Sequence, residues 1–455
     1  MKFKIKNFGN IKEAEIELKN LTVFVGENNT NKTWTAYLIY AFFSNRILEY
    51  SLTKIWENIV EDKYKYLDKF IEDLNLTNLI IGNNLENFIV KSYKLQMQFL
   101  KEILNEVIPI KIKKSFYVDI FLDNQIINEE RKKYHILMKE FNSILELIDK
   151  YQEENFLLKK NQIIKELINF IRKFYPEPFN IPSERKAIIQ FANLITLGEK
   201  NINELRSLIL ELLKTEGSKI NLQEILQKFN VDSFQYNYPK PVIDFKDFVS
   251  RLSLLKEKDN SLNKELLRLF ENSILEGKIH IDQTGKLIYH MNNQNDLDVS
   301  ISSSMVKSLS GIDIYLKYRA EKNGLVIIDE PEMNLHPEAQ VKLIEFLTIM
   351  ANKGIKILIT THSPYIVDHL INLIEGYYSK KKDKEKLFWQ PKYIKSGSYN
   401  LIKPSDIFIS KDDVSVYFFR KDGVVEDILD REERTIDWRT FSQISERISN
   451  IYWEL

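Results

Sequence analysis

Apolar and charged residues alternate over 2–6 and again over 11–17 (Ile-Lys-Glu-Ala-Glu-Ile-Glu), the period of half-buried strands. Leu21–Val25 is a short, mostly apolar run, which predicts a strand of the buried type. The polar run Gly26-Glu-Asn-Asn-Thr-Asn-Lys-Thr33 follows, and Trp34 to about Phe43 predicts an apolar helix. From about Ser44 to Gly277 the spacing turns helical, over Leu85–Val107, Glu129–Gln152, Asn161–Phe174 and two stretches of Phe245–Leu275. Polar or proline breaks separate these stretches, and no heptad pattern runs long enough for an extended coiled-coil arm. Within this region Phe179-Asn-Ile-Pro-Ser-Glu-Arg185 predicts a strand end and a loop.

Strand patterns return at Lys278–Ile281 and Lys286–His290, separated by Asp-Gln-Thr-Gly, a hairpin signal. A serine-rich stretch, Ser300–Ser304, precedes a helix over Met305–Arg319. Leu325–Ile328 predicts a buried strand, Ala339–Met350 a helix, Ile355–Ile359 a buried strand and Tyr365–Ile374 a helix. This alternation predicts an α/β fold, a mainly parallel sheet covered by helices. Beyond it the pattern predicts a lysine-rich loop (Lys380–Lys386), two or three strands and a terminal amphipathic helix over Thr440–Tyr452.

Composition narrows the function classes. The 455 residues contain no cysteine, which excludes a disulfide scaffold and any thiolate metal site. Six scattered histidines leave little for a histidine-rich metal site. Lys+Arg and Asp+Glu balance at 65 each, which argues against nonspecific coating of nucleic acid but allows a local basic patch. No run approaches the ~18 apolar residues of a membrane span, and the first ten residues have a strand pattern rather than that of a signal peptide. The expected compartment is a reducing cytoplasm, and the length suggests two or three structural units.

The 13 glycines are few for this length, and Gly26 alone opens a run that can cradle phosphate. Gly26–Thr33, between a buried strand and a helix, has the spacing of a phosphate loop. Backbone N–H groups converge at a helix N-terminus, where the dipole favours negative charge. Lys32 is then placed for the β- and γ-phosphates and the Thr33 hydroxyl for Mg²⁺. Asn31 stands where glycine is usual, and asparagine is one of the few other residues that tolerate left-handed angles. Leu325-Val-Ile-Ile-Asp329-Glu330 is a buried strand ending in two carboxylates: Asp329 suits Mg²⁺ or its water shell, and Glu330 suits a base or water-positioning role. His362, just past Ile355–Ile359, can hydrogen-bond a γ-phosphate or water. Ser302-Ser-Ser304 opens a helix, for which capping is the plain reading; the sharper one is contact with the γ-phosphate of a nucleotide held by a second copy.

The order of these motifs resembles the ABC-type ATPases of the RecF/SMC/OLD group, the single-chain AAA-like ATPases common in bacteria. The likeness covers about 1–45 and 276–375, with Pro182-Ser-Glu-Arg185 similar to a "PAxR" element of some relatives. It implies a two-lobed ABC-type P-loop ATPase: 1–45 as the first part of the ATPase domain, 46–276 as a mainly helical insertion, 277–375 as the second part and 376–455 as a small α+β extension. It maps Walker A onto Gly26–Thr33, with Gly26, Asn28, Asn29, Asn31, Lys32, Thr33 and Trp34 at the nucleotide. Walker B falls on Asp329-Glu330, the D-loop on Asn334-Leu-His-Pro337, the switch histidine on His362 and the signature on Ser302–Lys307. Met305 lies where glycine is common in the signature; Lys307 either compensates as a phosphate ligand or is only a surface residue. The implied cycle closes two copies around ATP and Mg²⁺, with Ser303, Ser304 and Lys307 of one copy over the nucleotide of the other, and reopens on hydrolysis through Glu330.

For biological role, three readings follow from the resemblance. The first is an ATPase controlling a separately encoded nuclease or toxin, as in two-component anti-phage systems such as Septu and PARIS. The second is a RecF-like DNA repair ATPase, for which Lys111-Ile-Lys-Lys114, Arg131-Lys-Lys133 and Lys380–Lys386 are candidate basic patches. The third is an OLD-type nuclease. The chain after His362 is short for an added nuclease domain, and Asp406, Asp412-Asp413 and Glu426-Asp427 do not form a clear two-metal set, so the effector is expected in trans.

Overall fold

The computed structural model describes residues 1–44, 117–121, 178–190, 238–282, 285–291, 296–381 and 404–437, with single residues at 165, 388 and 450. Strands β1 (Lys2–Phe8) and β2 (Ile11–Glu17) pair antiparallel, and their outward residues form a ladder of opposite charges, Lys2–Glu17, Lys4–Glu15 and Lys6–Glu13. Such cross-strand pairs add little each but disfavour a slipped register. The inward residues, among them Phe3, Ile5 and Phe8, are buried, and the Phe3 ring stands edge-on to Phe42 and Phe43.

Those two phenylalanines end helix α1 (Lys32–Phe43), which follows β3 (Leu21–Gly26). Strand β4 (Tyr117–Phe121) then joins β1 antiparallel. The main sheet runs β12-β11-β3-β10-β9-β5. It gathers β5 (Pro178–Ile181), β9 (Leu325–Asp329), β10 (Lys356–Thr360) and β11 (Val414–Phe419) in parallel with β3, and closes on antiparallel β12 (Val425–Asp427). Every residue of β3, β9 and β11 is buried, as expected of parallel strands covered on both faces.

Helices α2 (Lys240–Ser250) and α3 (Ser261–Phe270) lead to the antiparallel strands β6 (Gly277–Ile281), β7 (Leu287–Met291) and β8 (Leu297–Asp298). Helix α4 (Ser304–Tyr318) precedes β9, α5 (Pro337–Asn352) joins β9 to β10, and α6 (Pro364–Tyr378) follows β10 and packs on α5. Two short strands, β13 (Leu429–Asp430) and β14 (Thr435–Ile436), pair near the end of the described chain.

The α/β class and the parallel sheet are as the sequence pattern predicts, and the predicted helices and strands of 277–375 are present. Two strands come from within 46–276, the span with mainly helical periodicity. Both are short, and their partners are distant in sequence: β4 pairs with β1, and β5 with β9. Likewise β11, within 376–455, is a full member of the main sheet beside β3. The helical stretches over 85–174, the basic patches at 111–114 and 131–133 and the terminal helix over 440–452 lie outside the described residues, apart from isolated positions, as does most of the 380–386 loop.

Candidate nucleotide site

Parallel strands end together, so β3, β9, β10 and β5 deliver their last residues to one edge of the sheet, the usual place for ligands in such folds. At the end of β3, Gly26 adopts φ +135, and a Cβ there would stand 2.3 Å from the Phe419 carbonyl oxygen. Only glycine fits that approach. The loop then closes on α1 through Asn31, whose φ of 70 and ψ of 21 are left-handed. The expected glycine has thus been replaced by a residue that tolerates the same backbone. The Asn31 carboxamide is also used: Nδ2 donates to the Phe8 carbonyl at 3.2 Å, and Asn10 Nδ2 donates to the Asn29 carbonyl at 3.2 Å. The β1–β2 turn is tied to the loop at both points.

Lys32 is buried and folds its ammonium into the loop, donating to the carbonyls of Gly26 (3.1 Å) and Glu27 (2.6 Å). Burial pushes its pKa down to about 8, against the pull of Glu330, Asp329, Glu332 and Glu27. Across the edge the Thr33 hydroxyl donates to Asp329 Oδ1 at 2.9 Å, and the Thr360 hydroxyl bonds the same oxygen. A hydroxyl and a carboxylate sharing one point are the hard oxygen donors that Mg²⁺ takes beside phosphate. An ammonium and the N-terminus of α1 supply the charge that polyphosphate needs. The residues present fit Mg²⁺ and a nucleoside triphosphate.

These groups open onto one cleft of about 580 Å³. Asn28, Asn29, Asn31, Lys32, Thr33 and Trp34 line it from the loop, with the Trp34 ring edge-on to Tyr37. Glu330 and His362 line it from the ends of β9 and β10. Glu330 is non-glycine at φ 47, and its N–H donates to the Thr360 carbonyl at 3.0 Å. Burial, then the neighbouring Asp329 and Glu332, push the Glu330 carboxyl above the usual range. Burial, then Lys32, push His362 below its ordinary value, against the pull of Asp329.

Ser303, Ser304 and Lys307 do not line this cleft. Ser303 caps α4, its Oγ accepting the Val306 N–H, and Ser304 Oγ accepts a bond from Lys186 Nζ at 2.9 Å. Lys307 is buried in the first turns of α4. Capping therefore accounts for Ser303 within one chain.

Two residues outside the predicted site set hold its frame. Arg185, 1% exposed, donates to four carbonyls around the end of β9. Glu332 Oε1 accepts the His362 N–H at 2.7 Å, tying the loop after β10 to the turn after β9. The charge of Arg185 and the acid after Pro331 were visible in the sequence, but their partners are backbone atoms, which no residue type betrays.

A parallel sheet with a phosphate loop, a hydroxyl–carboxylate pair and a half-buried acid at one edge defines a P-loop ATPase. Residues 1–367 match the family model described as "AAA ATPase domain", and the chain belongs to that family. Among curated proteins it is similar to the OLD nuclease of Thermus scotoductus, 38% identical over 92 residues, covering 20% of this chain and 16% of that protein. It is also similar to the Old nuclease of Escherichia phage P2, 24% identical over 255 residues, covering 48% and 39%. The matches thus span well under half the length of these relatives. Among solved structures, the Smc head domain of Pyrococcus furiosus with an extended coiled coil, bound to the C-terminal domain of ScpA, matches at 10% identity over 98% of both chains with a TM-score of 0.34. The SMC head domain from Thermotoga maritima matches at 10% identity over 81% of this chain and 90% of that one, with a TM-score of 0.33. Likeness at that level carries no weight here. Among the described residues no helix is long and apolar enough to cross a membrane.

Proposed function

We propose that this chain binds ATP with Mg²⁺ in the 580 Å³ cleft and hydrolyses it between two copies of itself, using the cycle to control a separately encoded effector such as a nuclease or toxin in anti-phage defence. The observation that carries the nucleotide reading is the contact between the Thr33 hydroxyl and the Asp329 carboxylate, with the Lys32 ammonium in the loop beside them. In this reading Lys32 holds the β- and γ-phosphates. Thr33 and Asp329 would hold Mg²⁺, which would supply neutralisation of phosphate charge. Glu330 orients the attacking water and takes its proton, and His362 donates a hydrogen bond to the γ-phosphate side. Ser303, Ser304 and Lys307 of the second copy complete the cleft.

The experiment is ATP turnover with and without Mg²⁺, run beside light scattering on a Glu330→Gln protein. Turnover that needs Mg²⁺, and a doubled mass for Glu330→Gln only with ATP, support the reading. A monomer at all nucleotide concentrations rejects the paired site. Co-purification with the product of a neighbouring nuclease or toxin gene tests the effector, and recombination genes as neighbours favour a RecF-like role.

The names of the curated relatives favour a second reading, in which this chain is itself a nuclease. Nicking of plasmid DNA by the purified chain with Mg²⁺ or Mn²⁺, lost on removing the metal, would replace the effector in trans.

A further inference from the structure

We propose that Arg185 is a positioning residue that couples the amino-terminal half of α4, which carries Ser303 and Ser304, to the carboxylate of Glu330 in the same chain. The inference rests on the ATPase reading above and adds how the two ends of one chain's nucleotide machinery are joined.

Every nitrogen of the guanidinium is committed. Nε donates to the Ser308 carbonyl on α4 at 3.0 Å, and Nη2 donates to the Glu330 carbonyl at 2.8 Å. Nη1 donates to the Asp329 carbonyl at 2.7 Å and to Pro182 of its own loop at 3.1 Å. Ser308 lies four residues after Ser304, one turn along the same face of α4. A displacement at the serine-bearing end therefore reaches Ser308 through a rigid helix. The guanidinium is planar and its donors point in fixed directions. It cannot follow a turn of α4 without loosening its grip on Asp329 and Glu330.

The Glu330 backbone makes that grip matter. A φ of 47 is unfavourable for a side-chain-bearing residue and persists only where its surroundings hold it. Here the N–H is bound by Thr360 and the carbonyl by Arg185. Arg185 does not itself line the nucleotide cleft, so it acts on the chemistry through the backbone of Glu330. Helix α4 is also brought unusually close: a Cβ on Gly311 would lie 2.8 Å from Ile181 Cγ2 and 3.5 Å from Arg185 Cδ. In a pair of copies, α4 faces one nucleotide and Glu330 the other, so this arginine joins the two sites.

Two substitutions test this. Arg185→Lys keeps the charge but offers one ammonium for four carbonyls. Gly311→Ala wedges α4 away from β5 and leaves Arg185 itself intact. Both are compared with wild type for fluorescent-ATP affinity, melting temperature, kcat, KM and the pH dependence of kcat. The expected result is affinity within twofold of wild type, kcat at saturating ATP lowered tenfold or more, and an altered acid limb of kcat. In an Arg185→Ala protein, millimolar guanidinium should raise kcat where equal sodium chloride does not. A wild-type protein without ATP turnover defeats the hydrolase reading itself. Normal wild-type turnover with unchanged kcat in Arg185→Lys and Gly311→Ala overturns the coupling alone. Loss of folding and nucleotide affinity together in both variants, which marks Arg185 as a structural residue only, overturns it as well.

Discussion

Asn31 and Gly9 occupy the same space: a Cβ on Gly9, itself at φ +56, would stand 1.8 Å from Asn31 Nδ2. The asparagine that replaces the usual loop glycine is therefore matched by a glycine in the turn it bonds. Gly9→Ala should cost about 1–3 kcal/mol, from backbone strain and the clash. Asn31→Gly should cost about 1 kcal/mol, through the lost bond to Phe8 and greater unfolded-state freedom. In the double variant the two losses should fall short of their sum by about 0.5 kcal/mol or more. Denaturant melts of the four proteins check this, and strict additivity rejects the pairing.

Lys32 predicts a pH dependence for nucleotide binding. Its pKa in the free protein is about 8, lowered from the ordinary lysine value by burial. Polyphosphate pairs with the protonated form and raises that pKa on binding. Affinity is then flat below pH 8 and weakens above it, by up to about tenfold per unit. Lys32→Ala should lose about 100-fold or more in affinity at pH 7 and lose this slope. Calorimetric titrations from pH 7 to 9.5 read both, and a slope that survives in Lys32→Ala assigns it elsewhere.

Glu330→Gln should lower kcat by about 100-fold or more while ATP affinity stays near wild type. Because burial and the neighbouring acids raise the Glu330 carboxyl, the acid limb of kcat in wild type should lie above the ordinary glutamate range. The base is active when ionised, so kcat rises with pH through that limb. Undiminished turnover in Glu330→Gln removes Glu330 from the chemistry.

A paired site predicts complementation. Lys32→Ala spoils the cleft of its own chain, and Ser304→Arg spoils the helix start offered to another. Each alone should be inactive. An equal mixture forms mixed pairs holding one intact site, and should recover about a quarter of wild-type turnover. A mixture as inactive as its parts argues against a site shared between copies.

Lys317 bridges Asp313 at 2.8 Å and Glu271 at 3.4 Å, all three buried, and also bonds the Ile279 carbonyl. Removing the ammonium leaves two acids buried without their cation, so Lys317→Ala should cost about 3–5 kcal/mol. Asp313 in the native protein has its pKa raised by burial to about 6. Its folded form binds the proton more tightly than the unfolded chain, so its own contribution favours folding at low pH and fades as pH rises from about 4 to 6. Urea melts of wild type and Asp313→Asn across that range should differ in slope with this sign.

What the sequence makes legible follows from how contacts are written into it. Leu21–Val25, Leu325–Ile328 and Ile355–Ile359 are short, mostly apolar runs, broken only by Thr22 and Lys356, and a run of that kind announces a strand with both faces covered. Their neighbours are the loop, the acid pair and the histidine of the cleft, so the candidate site is read with them. Strand β5 shows in the sequence only as a strand end at Phe179: it is four residues beginning with proline, too short for a period, and its partner β9 lies far along the chain. Strand β4 sits among helical patterns and acquires its meaning only against β1. The bonds of Glu332, and those of Arg185 in the Pro182-Ser-Glu-Arg185 element, escape for another reason. A carbonyl or an amide is present at nearly every position, so a side chain bonding one leaves no matching residue type to find.

The order of the main sheet has a consequence for how the chain is made. Strand β3, which carries the phosphate loop, ends at residue 26, but the strands on its two sides are β10 and β11, ending at 360 and 419. During synthesis both edges of β3 wait unpaired while more than three hundred residues emerge, and such long-range pairings form slowly and expose strands to wrong partners. The phosphate loop and the strands that flank it are thus encoded more than three hundred residues apart, so a truncated chain ending before β11 would carry every loop residue and still lack the strand against which Gly26 is packed.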